Sequence, residues 1–377
     1  MPTTYVFAGG GTGGHIFPGV AVAQRVAARD PGAVFHFVVS TRSIDRTSLA
    51  GVTLAGTAPA LTPVHAFPPS ISPRPLLRFL ANWGRGVREC RGVLREAGRN
   101  GPVAMAATGG FVSAPAAQAA RVEGVPLVLV NLDAVPGKAN RWIARRATAC
   151  FGVSGGKDAP RLADCTPIPP IVREGLAAAE GDERARIRTA LGLDPAVRTL
   201  LVTGGSQGAG SINNLMSALA ATPALKGWQV LHQTGKEGAD AARGAYAEAG
   251  VRAIVAEFVD DLASWWRASD LAVARSGAGN VAEAWATRTP AFFLPYPYHR
   301  DEHQKFNAAP LVEAGGALVE KDRIGPEKNL AGAGRSLAAL LADPARIEAM
   351  RGRLTALGPA DGAERVAAAL VEIAARR

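Results

Sequence analysis

The chain has 377 residues, of which 48% are hydrophobic and 20% charged, and a formal net charge of +10 at neutral pH. That length points to two domains rather than one core; no apolar run reaches the ~18 residues of a membrane span, and MPTTYVFAGG enters a strand without the charged start of a signal peptide. The basic excess suits phosphorylated substrates, an anionic membrane surface or an arginine-rich composition bias, and without a recognisable motif or interleaved aromatics it does not describe a nucleic-acid binder.

The first predicted element is the strand TYVFA, followed by the turn GGGTGGH (residues 9–15) and the helical pattern IFPGVAVAQRVAAR. A strand, a glycine turn and a helix offer backbone N–H groups to an anion. Gly9, Gly11 and Gly14 satisfy G-x-G-x-x-G, which alone is compatible with a dinucleotide. After the second strand, VFHFVVS, an NAD enzyme would carry an acid, whereas this chain reads Ser40-Thr41-Arg42. An arginine there tolerates a 2′-phosphate, so an NADP enzyme is one open alternative.

The stretch LLRFLANWGRGVRECRGVLREAG follows. Leu76, Leu80, Trp83, Val87, Cys90 and Leu94 keep a three-and-four spacing, with Arg88, Arg91, Arg95 and Arg99 along another face. The pattern fits either a buried helix with a solvated basic side or a peripheral membrane face. VAMAAT, the turn TGGFVSAP (residues 108–115) and VPLVLV complete a parallel alternation with crossover helices. Cys90, Cys150 and Cys165, odd in number and widely spaced, predict neither a disulfide framework nor a zinc site and suggest a reducing compartment. TPIPPIVREG (residues 166–175) reads as a linker.

The alternation restarts with RTLLVTGG, WQVLHQTG, VRAIVAEF, LAVARSG and AFFLP, carrying the turns GGSQGAGSIN (residues 204–213) and RSGAGN (residues 275–280). None of the four glycine turns holds the Lys-Ser/Thr of a P-loop, which argues against an NTPase. The expected architecture is therefore α/β, with two doubly wound domains (1–165 and 176–356) across a cleft and a C-terminal helix (357–377) that can return to the first. Glu283 is placed to accept hydrogen bonds from a ribose diol, or to answer a helix dipole from the first turn. His303 and Asn307 share one helix face, with Gln304 beside them, and neutral groups of this kind read sugar hydroxyls. Asp301, Glu302 and His303 are consecutive and point apart, so no metal site is expected.

GGGTGGHIFPG, ATGGFVSAP, GGSQGA, EFVDDL, RSGAGNVAE and HQKFNAAPL, in this order along nearly the whole chain, resemble the MurG family of glycosyltransferases. The resemblance implies a GT-B fold and inverting transfer of N-acetylglucosamine from UDP-N-acetylglucosamine to the lipid-linked acceptor lipid I, giving lipid II for the cell wall. It implies no cofactor and a peripheral place on the cytoplasmic face of the membrane, at anionic lipids. Thr12, Gly13 and Gly14 would line the sugar and acceptor diphosphate, with His15 as general base. Ser206 and Gln207 would meet the donor phosphates, with Arg173 neutralising them. The backbone of Val259 would recognise uracil, and Glu283 the ribose. Ala278 and Gly279 would lie under the sugar, with His303, Gln304 and Asn307 at its hydroxyls. The chain departs from the family where His-Glu-Gln-Asn is usual: it has Val130-Asn131-Leu132-Asp133, which makes Asp133 a second candidate for the catalytic proton acceptor. A different UDP-sugar enzyme of this architecture (a glycolipid transferase or an epimerase) and a non-catalytic sugar-nucleotide-binding subunit are the alternatives.

Overall fold

The computed structural model describes residues 1–11, 13–67, 73–153, 162, 165–205, 208–298 and 301–376. Two compact units divide the chain: the described residues up to Arg173 join the segment from Asp361 onward, and Glu174–Ala360 forms the second.

The N-terminal unit runs β1 (Thr4–Gly9), α1 (Gly13–Arg29), β2 (Val34–Ser40), α2 (Ser43–Leu49), β3 (Ala60–Val64) and α3 (Pro73–Arg99). It continues through β4 (Val103–Gly109), α4 (Ser113–Glu123), β5 (Leu127–Asn131), α5 (Lys138–Ala144), β6 (Ala149–Val153) and β7 (Thr166–Ile168). All seven strands are parallel, in the order β3-β2-β1-β4-β5-β6-β7. Because successive side chains leave opposite faces of a strand, β1 sends Tyr5 and Phe7 into one core and Val6 and Ala8 into the other. Phe7 stacks on Phe37 of the neighbouring strand at 5.2 Å between centroids. A strand covered on both faces reads as a continuous apolar run, which is why β1, β4 and β5 are legible in the sequence.

Two expectations are corrected here. Thr166–Ile168, expected as linker, is the edge strand β7, where Pro167 is tolerated because an edge strand can leave a ladder position without a donor. Cys150 and Cys165, expected to be unpaired, form a disulfide. The cause is register: Phe151 stands opposite Thr166 in the β6–β7 pair, so the residues before them are neighbours across the sheet. Cys90 is free and buried.

The second unit runs α6 (Glu183–Ala190), β8 (Arg198–Thr203), α7 (Gly210–Ala220), β9 (Trp228–Gln233), α8 (Ala239–Glu248), β10 (Ala253–Ala256) and α9 (Leu262–Ala268). It continues through β11 (Leu271–Ala274), α10 (Ala278–Thr287), β12 (Ala291–Phe293), α11 (His303–Glu313), β13 (Ala317–Val319), α12 (Pro326–Asn329), α13 (Arg335–Leu341) and α14 (Pro344–Ala356). Its parallel sheet has the order β10-β9-β8-β11-β12-β13. The last helix, α15 (Gly362–Ala375), belongs to the first unit. Its Val366, Ala367 and Leu370 enter the core with Val20 and Ala23 of α1. Each fully buried aliphatic side chain of the size of Val366 or Leu370 contributes roughly 1.5–3 kcal/mol.

Helix α3 divides along its length. Cys90, Val93 and Leu94 are buried against the sheet and α4, whereas Leu77 and Leu80 near its start are 66% and 58% exposed. The basic face is partly neutralised, because Arg91 and Arg95 both donate from Nε to the Glu123 carboxylate, at 2.5 and 2.9 Å. Among the described residues, no helix is long and apolar enough to cross a membrane.

Candidate active site

In each sheet the strand order reverses between two central strands, β1 and β4 in the first and β8 and β11 in the second. Ligands of doubly wound sheets bind outside the carboxyl ends of the strands at this switch point. All four glycine turns recognised in the sequence follow these four strands. Topology thus pairs turns that lie about a hundred residues apart in the first unit and about seventy in the second.

In the first unit the two turns pack backbone against backbone. A Cβ on Gly110 would fall 2.2 Å from the carbonyl oxygen of Gly10, and Gly110 has φ +77°. Thr108 Oγ1 donates to the carbonyl of His15 at 2.6 Å and so anchors the first turn of α1 to the end of β4. The His15 imidazole lies against Gly109, where a Cβ would approach Cδ2 to 2.9 Å. Burial lowers the His15 pKa below its ordinary value, and the charges of Asp133 and then Asp45 work in the opposite direction. A neutral imidazole at neutral pH is the form a general base requires. Asp133 follows β5, and its carbonyl accepts from Asn131 Nδ2 at 2.7 Å, while Asn131 Oδ1 accepts from Asn140 Nδ2 at 2.9 Å. Arg173 also belongs to this unit, with its guanidinium 4.7 Å above the ring of Phe17 on α1. Gly13 and Gly14 open α1, and Thr12 lies outside the described residues.

In the second unit Gly208 has φ +72°, and a Cβ there would meet the carbonyl of Thr234 at 2.1 Å, so only glycine brings the N-terminus of α7 this close to β9. Ser206 and Gln207 lie outside the described residues. The turn after β11 is held by a buried ion pair, Arg275 with Asp322 at 2.7 Å, and Ser211 Oγ donates to the same carboxylate at 2.6 Å. Hydrogen bonds from Asn329, Ser211, Ile324 and Arg275 outweigh burial and hold the Asp322 carboxyl below the usual range. Ala278 and Gly279 open α10, and nothing stands within 4 Å of where a Gly279 Cβ would be. Glu283 is the sixth residue of α10 and half-buried. Helix-dipole effects fade within the first turn, so that alternative for Glu283 falls away.

Gln304 Oε1 accepts from the backbone N–H of Tyr296 at 2.8 Å, which turns its amide nitrogen the other way. His303 Nδ1 is 2.8 Å from Asp301 Oδ1, so these two side chains converge rather than point apart, because Asp301 precedes the helix that His303 opens. Asn307 is buried and donates to the carbonyl of Ser276 at 3.3 Å, tying α11 to the glycine turn. Val259 packs partly against the core beside Phe258, which is 62% exposed. No group of three or more metal-ligating side chains occurs among the described residues. Sequence reasoning missed Asp45, Asn140 and Asp322: each stands among other polar residues in the sequence, and the groups it holds are brought to it by the fold.

The sequence matches the glycosyltransferase family 28 N-terminal domain over residues 5–151 and the corresponding C-terminal domain over residues 199–365. It is 36% identical to a UDP-N-acetylglucosamine--N-acetylmuramyl-(pentapeptide) pyrophosphoryl-undecaprenol N-acetylglucosamine transferase of Nocardioides sp., covering 98% of this chain and 97% of that one. In fold it is similar to Acinetobacter baumannii MurG, with a TM-score of 0.73 at 21% identity over 99% of this chain and 100% of that chain. It is also similar to a UDP-GlcNAc 2-epimerase from Neisseria meningitidis, with a TM-score of 0.66 at 13% identity over the whole of both chains.

Proposed function

The chain belongs to glycosyltransferase family 28, and on that premise we propose that it transfers N-acetylglucosamine from UDP-N-acetylglucosamine to lipid I, the undecaprenyl-pyrophosphoryl muramyl-pentapeptide, giving lipid II in peptidoglycan synthesis. The observation that carries this reading is the placement of four glycine turns, in pairs, at the two switch points. Two such sites in one chain suit a reaction that brings together two diphosphate-bearing substrates.

The second unit takes the donor. The N-termini of α7 and α10 direct N–H groups at its diphosphate, and Ser206 and Gln207 are assigned to the same phosphates. The Val259 backbone reads uracil, and Glu283 accepts the two ribose hydroxyls. Gln304, oriented by its bond to Tyr296, gives its amide N–H to the sugar with His303 beside it. The open space over Gly279 leaves room for the hexose, and Asn307 supports the loop beneath.

The first unit takes the acceptor at Thr12, Gly13 and Gly14. Its hydroxyl attacks the anomeric carbon as the bond to UDP breaks, in one displacement that inverts configuration. His15 receives the hydroxyl proton and Asp133 stabilises the imidazolium that forms, in keeping with the direction of its effect on His15. No cofactor is required, since helix N-termini meet the leaving diphosphate. The exposed start of α3, with Leu77 and Leu80 beside Arg74 and Arg78, rests on the anionic cytoplasmic face of the membrane that carries the acceptor. Each arginine there contributes roughly 1 kcal/mol.

Incubation with labelled UDP-N-acetylglucosamine and a lipid I analogue tests the reading. The expected result is a β-linked disaccharide product and free UDP. Conversion of the donor alone to an epimeric UDP-sugar, with no transfer, would establish an epimerase instead.

A further inference from the structure

We propose that Asp45 and Arg42 are positioning residues that clamp the two peptide groups flanking Gly11 and so set the first glycine turn and His15 for the acceptor, a role that rests on the transferase reading above. Asp45 is fully buried at the third position of α2. Both of its carboxylate oxygens accept from the backbone N–H of Gly11 at 3.0 Å, and Oδ2 also accepts from Ser40 N at 2.8 Å and Ser40 Oγ at 2.5 Å. On the next peptide group, Arg42 Nη1 donates to the carbonyl of Gly11 at 3.0 Å, and its guanidinium lies 5.2 Å over the Phe111 ring.

The turn has no slack between these partners. Gly11 has φ +93°, and a Cβ there would fall 2.5 Å from Phe111 Cε1. A Cβ on Gly10 would fall 2.5 Å from Asp45 Oδ2. The carboxylate therefore occupies, inside the fold, the position an anion takes at an ordinary glycine turn. The Gly11 amide is not offered to substrate, and the N–H groups that open α1 are. An ionised carboxylate is retained in a buried place only when its hydrogen-bonding capacity is filled. Here it is filled by the end of β2 and by the turn, so Asp45 transmits the position of one to the other. His15 follows four residues after Gly11, with its carbonyl already fixed by Thr108.

The test compares wild type with Asp45→Asn and Ser40→Ala in full-length protein. Asparagine keeps the volume but, whichever way its amide is turned, places an N–H donor against the N–H of Gly11. Hydrogen bonds to a charged group lost in this way correspond to about ten- to a hundred-fold. The expected result for Asp45→Asn is a rise of about that size in the acceptor KM with a fall in kcat, and UDP affinity by calorimetry within about two-fold of wild type. Ser40→Ala, which keeps both backbone donors and guards against an Asp45 variant that fails to fold, moves the same quantities the same way by about three-fold. Unchanged acceptor KM in both variants overturns the proposal. So does a loss of kcat with acceptor KM unchanged and the calorimetric stoichiometry of UDP falling in parallel, which marks a loss of folded protein only. Amide hydrogen exchange at Gly11 and Ser40 gives a readout independent of catalysis: slow in wild type and fast in Asp45→Asn. If wild-type protein transfers no sugar, the transferase reading fails, and the exchange result alone then decides whether Asp45 holds the turn.

Discussion

His232 makes the stability of the second unit depend on pH in a way the structure allows to be worked out. Its side chain is fully buried on β9, with Nε2 3.1 Å from Asn213 Oδ1 and Nδ1 3.0 Å from the hydroxyl of Tyr246. Asn213 Nδ2 is engaged by the carbonyls of Thr234 and Glu237 at 3.0 and 3.2 Å, so its Oδ1 faces the ring, and Nε2 must carry the hydrogen. Nδ1 then accepts from Tyr246. Burial holds the His232 pKa down at about 3 from an ordinary 6.5. The unfolded chain takes up this proton near pH 6.5 and the folded chain only near 3. Between those values the unfolded state binds more protons, so stability is complete above pH 6.5 and is lost as pH falls toward 3. At about 1.4 kcal/mol per pKa unit, the loss between pH 7 and pH 5 is about 2 kcal/mol. The assay is urea unfolding at both pH values, followed by peptide-resolved hydrogen exchange over β9, α7 and α8 so that the second unit is read by itself. A His232→Gln variant, which supplies one donor and one acceptor but does not titrate, sets the contribution of all other groups. Wild type is expected to lose about 2 kcal/mol more than the variant, and equal losses in the two proteins would refute the reasoning.

Glu283→Ala is expected to weaken UDP binding about ten- to a hundred-fold by calorimetry, the scale of hydrogen bonds to a charged group; unchanged affinity would remove it from the ribose. His15→Ala is expected to lower single-turnover transfer by ~10²–10⁴ while UDP affinity holds, since general-base assistance has that size, and a near-normal rate would leave the proton to another group. Asp133→Asn removes the larger of the two charges that oppose burial at His15, so the acid limb of the kcat/KM profile should move to lower pH; a limb that stays in place would show that Asp133 does not act through His15. Replacing Leu77 and Leu80 together by glutamate should release the protein from anionic vesicles in a flotation assay while leaving transfer to a short-chain soluble acceptor intact, and retained flotation would place the membrane contact elsewhere.

Parts of the fold and site were legible because their signals are local. Strands buried on both faces must be apolar along their whole length, so TYVFA and RTLLVT announce themselves. A turn at which a backbone has to pass within van der Waals contact of another must lack a Cβ, and the glycines at 10, 11, 110 and 208 record that directly. The shorter elements β3 (ALTPV) and β6 (ACFGV) were not legible, because proline, glycine and partly exposed positions blur the period. The Cys150–Cys165 bond was missed for a related reason, since it depends on the pairing of β6 with the short edge strand β7, which neither sequence reveals alone.

The sequence by itself determined the two-domain α/β architecture, the four glycine turns and the residue types that can touch a sugar nucleotide. Tertiary structure decided which turns act together, because strand order, not chain order, places the end of β1 beside that of β4 and the end of β8 beside that of β11. It also decided the roles of the charged residues. Asp45, Asp322 and Asp133 look alike as isolated acids in a sequence. The first accepts from backbone N–H groups under a glycine turn, the second pairs with a buried arginine behind another, and the third opposes the effect of burial on His15. A carboxylate's work is set by the donors and charges that surround it, and those neighbours come from segments far apart in the chain.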